Sequence, residues 1–138
     1  MTPMLVFDLE TIPDVEGLRA LNGWGEDVSD AEVVERATAA RREAVGHDFL
    51  PLHLQKIAVV GCVFRDDDGF RVKCIGKADD PEATLIFGFF KTIDRYTPQL
   101  ISWNGSGFDL PVLHYRGLIH GIQASRYWDM GEDDRDFR

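Results

Sequence analysis

Thiols, long apolar runs and excess basic charge are what this sequence has little of. Its only cysteines are Cys62 and Cys74, and no C-x-x-C spacing points to zinc. They fall on two expected strands either side of an Asp-Asp-Asp-Gly turn. A disulfide across that hairpin is conceivable, but two reduced thiols packed as small hydrophobes are the expectation. No stretch approaches the roughly 20 apolar residues of a membrane span. The N-terminus has no basic, apolar and small-residue regions in signal-peptide order, so a soluble, cytoplasmic protein is expected, without a membrane partner. Fifteen basic side chains face 24 acidic ones, a net charge of −9. That argues against a domain that holds duplex nucleic acid by a broad basic face. A small site for a strand end stays open, because cations held by carboxylates offset phosphate charge locally.

What is present is a globular composition, 44% apolar over 138 residues, enough for one core. About Met4 to Leu9 reads as a first strand, and the turn Pro13-Asp14 ends the segment that follows it. A polar stretch with Gly17, Gly23 and Gly25 follows. Ser29 and Glu32 then have capping-box spacing ahead of a helix that Gly46 stops, and residues 15–50 read as a helical insertion. Lys56 to Phe64 is a β-rich central strand, Phe70 to Ile75 an edge strand, and the aspartates between them are turn chemistry. Asp80 as cap and Pro81 as first helical residue start a helix with the apolar stripe Leu85, Ile86, Phe89, Phe90 and Ile93. Gln99 to Trp103 is a strand, and a helix runs from near Asp109 to about His120, stopped by Gly121. Strands alternating with helices indicate an α/β sheet in two or three layers.

Asp8 and Glu10 interrupt the first strand where packing alone favours Val or Ile. Side chains alternate in a strand, so both point to one face. Two such anions repel unless a cation joins them, and Mg²⁺ or Mn²⁺ suits oxygen ligands. Asp109 falls at a helix N-terminus just after a strand, where the dipole favours an anion. If that strand lies parallel to the first, all three carboxylates open on one edge of the sheet. Such a cluster suits two-metal phosphodiester cleavage. Gly105 and Gly107 do not make a nucleotide fingerprint, because Leu110 stands where a small residue is needed and no Gly-Lys-Ser/Thr follows. They permit a turn or a close backbone approach to substrate. Trp103 is expected in the core, His114 and His120 at a helix surface, and Arg116 and Arg126 either at phosphate or in solvated ion pairs. The tail acids Asp129, Asp133, Asp134 and Asp136 are expected to be solvated.

The motif F-D-L-E-T resembles the first motif of the DEDD 3′–5′ exonucleases of the ribonuclease H-like superfamily. N-G-S-G-F-D resembles their second. Together with T-I-P-D, L-Q-K-I-A-V-V and the block from Ser102 to Ile122, they resemble most the predicted 3′–5′ exonuclease family related to the proofreading domain of family B DNA polymerases. The resemblance runs from about Met4 to Gly131. It implies a ribonuclease H-like mixed sheet flanked by helices, and a metal-dependent exonuclease acting on single-stranded 3′ ends, DNA rather than RNA. Asp8 would bridge two Mg²⁺ or Mn²⁺ ions, Glu10 hold the ion that positions water, and Asp109 serve the second ion. Asn104 and Phe108 would shape the pocket, and Thr11 would donate to the substrate end. The family's third motif, Y-x-x-x-D or H-x-x-x-x-D, is not found in the chain. The expectation is therefore a single domain lacking its final helix, with neither fourth acid nor general base, and a poor or inactive nuclease by itself. The alternative is a catalytically silent ribonuclease H-like module that binds nucleic acid or protein.

Overall fold

A computed structural model describes residues 1–129; Asp133, Asp134 and Asp136 lie outside the described residues. Strands β1 (Met4–Pro13), β2 (Gln55–Asp66), β3 (Gly69–Cys74) and β4 (Gln99–Ile101) form one sheet in the order β3-β2-β1-β4. The α-helices among the described residues are α1 (Val15–Asn22), α2 (Asp30–Val45), α3 (Glu82–Tyr96), α4 (Asp109–Ile119) and the short α5 (Ser125–Trp128), and a 3-10 turn spans Leu52–Leu54. None of them is long and apolar enough to cross a membrane. The described residues divide into two compact units, one of Met1–Glu10 with the residues from Ile57 on, the other Thr11–Lys56.

In the first unit β1 alternates as its sequence requires. Leu5, Phe7 and Leu9 are buried, while Val6, Asp8 and Glu10 are exposed. The Phe7 ring lies 4.9 Å from that of Phe89 on α3. Leu85, Ile86, Phe89, Phe90 and Ile93 are all buried along that helix, so its stripe forms the core. Each such side chain contributes about 1.5–3 kcal/mol. Helix α4 reaches α3 at Gly117, where a Cβ would stand 3.6 Å from Phe90 and 3.7 Å from Ile86. β4 runs parallel to β1 in the register Met4↔Gln99, Leu5↔Leu100, Val6↔Ile101, so it ends opposite Val6, while β1 runs on past the expected end at Leu9 to Pro13.

β2 and β3 form the expected hairpin. Asp66 pairs with Gly69 across the turn, and the Asp68 N–H donates to Asp66 Oδ1 at 3.1 Å. Cys62 stands opposite Lys73 and Gly61 opposite Cys74, a one-residue offset that turns the two thiols to opposite faces. Cys62 is buried, Cys74 is exposed and both are free. Asp80 does not cap α3: its carboxylate accepts from the Lys77 N–H at 2.8 Å, closing the preceding turn, and Pro81 holds the cap position.

The second unit contains a helix that its glycines conceal in the sequence. Asp14 caps α1 by accepting from the Gly17 N–H at 3.1 Å, and Gly23 ends it in the left-handed region at φ 67°. Helix α2 starts and stops as its sequence predicts, with the Ser29 hydroxyl accepting from Glu32 N–H and Gly46 at φ 86°. Leu18, Val28, Val33, Ala37, Leu50 and Leu54 form the core of this unit.

Candidate active site

β4 pairs with β1 only as far as Val6. Beyond that point the chain turns through Ser102 to Phe108 and enters α4 at Asp109. The loop is held by its own backbone. The Asn104 carbonyl accepts from the N–H groups of Gly107 and Phe108 at 3.0 and 3.1 Å, and the Gly105 carbonyl accepts from Leu110 at 2.8 Å. Asn104 adopts φ 54°, a left-handed conformation that Asn tolerates better than most residues. Gly105 is required by close packing: a Cβ there would stand 1.7 Å from Ser102 Oγ. Gly107 is less confined: its Cβ would meet the Asn104 side-chain amide, with Oδ1 at 2.6 Å. Both glycines thus serve the internal packing of the loop.

This loop delivers Asp109, only 2% exposed, to the middle of β1 just past its last pair with β4, where Oδ1 accepts the Leu9 N–H at 3.2 Å. Burial raises the Asp109 pKa above its ordinary value; the hydrogen bonds from Leu9 and from its own N–H oppose that shift, and the nearby charge of Asp8 adds to it. Asp8 and Asp109 are therefore electrostatic neighbours. Glu10 shares the exposed face of Asp8. Among the described residues no group of three His, Cys, Asp or Glu side chains is placed to hold a metal ion. The donor chemistry suits a hard divalent cation, and a buried carboxylate beside a second one gains from such a charge. The described ligands stop short of a complete set.

Phe108 is half-buried ahead of α4 and Asn104 is exposed. Thr11 belongs to the second unit, where its hydroxyl donates to Gln55 Oε1 at 3.0 Å.

Two expectations need correction. Arg116 is neither a phosphate contact nor a solvated ion pair. It is 3% exposed, and its guanidinium holds the buried Glu82 carboxylate at 2.6 and 2.9 Å. The helical spacing of Arg116 could not reveal a partner 34 residues away. Trp103 is 94% exposed and outside the core, because the ladder ends at Ile101 and the chain has already left the sheet. The signal was its position immediately before the Asn-Gly turn. His120 meets Glu82 at 2.7 Å, and His114 packs against the Trp128 ring with centroids 4.5 Å apart.

Residues 47–138, about two thirds of the chain, match a family model described as "Predicted 3'-5' exonuclease related to the exonuclease domain of PolB". The chain belongs to this family. The matched residues of the exonuclease family member include the loop and Asp109 but not Asp8 and Glu10. Its fold is similar to part of the family B DNA polymerase from the hyperthermophilic archaeon Pyrobaculum calidifontis, with a TM-score of 0.53 and 17% identity. That match covers 90% of this chain and 12% of the polymerase chain. The mixed sheet with flanking helices is thus an α/β fold similar to one found within a family B polymerase. No curated protein matches the sequence.

Proposed function

We propose that this family member acts on single-stranded nucleic-acid 3′ ends, DNA in preference to RNA, as a metal-dependent exonuclease. The observation that carries the reading is the delivery of Asp109 to the Leu9 N–H of β1, beside Asp8. Asp8, Glu10 and Asp109 would hold Mg²⁺ or Mn²⁺. When bound, a pair of such ions supplies an activated water and stabilises the leaving oxygen. The chain's own contribution is placement. β1 fixes Asp8 and Glu10 on one face, and the bond to Leu9 fixes Asp109. Asn104 and Phe108, on the loop leading into α4, would border the terminal nucleotide.

The test is shortening of 5′-labelled single-stranded DNA in Mn²⁺ or Mg²⁺. The expected result, with an incomplete ligand set, is a slow ladder of 3′-shortened products that Asp8→Ala and Asp109→Ala each abolish, whereas undiminished activity in Asp8→Ala overturns the assignment. A second reading, a silent module that binds strands without cleaving them, is favoured by the lack of a three-ligand group among the described residues. Strand binding with no shortening in either metal selects it.

A further inference from the structure

Trp103 is 94% exposed, yet the backbone that carries it is fixed on both sides. Before it, β4 is paired to β1; after it, the Asn104 and Gly105 carbonyls accept three N–H groups from residues 107, 108 and 110. The neighbouring Ser102 side chain is packed against Gly105. A large indole is thus presented to solvent on a rigid support, six residues before Asp109 and in the same connection. Among the described residues no ring or cation stacks on it, in contrast to Trp24, which lies under Arg36, and Trp128, which packs on His114.

We propose that Trp103 is a stacking platform for a base of the single-stranded substrate. The proposal rests on the exonuclease reading above and adds a positioning residue to it. Charge favours the assignment. A protein of net charge −9 gains little hold on a strand from counterion release, so base stacking has to supply a larger share of the affinity. An indole accepts any base through its π face, as an enzyme that proceeds along a strand requires.

The test is fluorescence anisotropy with labelled oligothymidylate, and with the same strand abasic at its last three 3′ positions. Trp103→Ala is expected to weaken binding of the intact strand roughly 5- to 150-fold, the range of one lost stacked base, and Trp103→Phe to keep most of the affinity. Wild type should bind the abasic strand more weakly, while Trp103→Ala should not distinguish the two strands. The melting temperature should be unchanged, since the indole is 94% exposed. Equal affinities of wild type and Trp103→Ala for the intact strand overturn the platform alone. Failure of wild type to bind any strand overturns the exonuclease reading together with it.

Discussion

The Leu9 N–H donates to Asp109 Oδ1 across one hundred residues of chain, at 3.2 Å. One bond therefore does two things. It satisfies a main-chain donor past the last β1–β4 pair, and it fixes a buried carboxylate near Asp8. An anion so placed is held at a cost in stability, as functional carboxylates often are.

Replacing Asp109 by Asn keeps an acceptor for Leu9 and removes the charge. Because the Asp109 pKa is raised in the fold, its favourable contribution is full below the unfolded value near 3.8 and is lost as pH rises through the folded value. Asp109→Asn should therefore melt higher than wild type at pH 7, with the gap closing toward acid pH. Thermal melts across that range check it; a variant less stable at pH 7 contradicts the account.

Glu82 presents the opposite sign. Burial alone would raise its pKa, but Arg116, His120 and the Ile57 N–H together hold it below its ordinary value. Its contribution is present above the unfolded value near 4.5 and lost as pH falls through the folded one. Glu82→Ala leaves the Arg116 guanidinium buried without its carboxylate and should cost about 3–5 kcal/mol. Urea denaturation measures this directly, and a loss under about 1 kcal/mol would contradict a paired buried charge.

Gly105→Ala should destabilise the loop by about 1–3 kcal/mol through overpacking, since its Cβ would collide with Ser102. Adding Ser102→Gly removes the colliding atoms and should recover part of the loss. Additive effects of the two substitutions would rule the collision out.

The thiols should react unequally. Cys74 is exposed, while Cys62 is buried and its pKa is raised, chiefly by that burial. One thiol per chain should label quickly with a disulfide reagent and the second only on unfolding. Two equally fast thiols would contradict the β2–β3 register.

Local pattern made much of the fold legible. The stripe of α3, the Ser29 and Gly46 boundaries of α2 and the hairpin at Asp66-Asp67-Asp68-Gly69 rest on neighbours a few residues apart, and the structure has them all. Helix α1 escaped because Gly17 and Gly23 read as loop punctuation, whereas Gly17 supplies the N–H that Asp14 caps and Gly23 the left-handed stop. Asp80 escaped for a related reason. It satisfies a nearby turn donor, which competes with capping for the same carboxylate.

The candidate site divides along the same line. Alternation in β1 is enough to put Asp8 and Glu10 on one face, and turn chemistry is enough to put Asp109 at a helix start. The sequence by itself determined those local positions, because strand and helix periods are properties of consecutive residues. Only tertiary structure decided that β4 lies parallel to β1, that Asp109 reaches Leu9, that Glu82 buries Arg116 and that Trp103 stays in solvent. Each depends on which distant segments close on one another, and that is set by packing of the whole core.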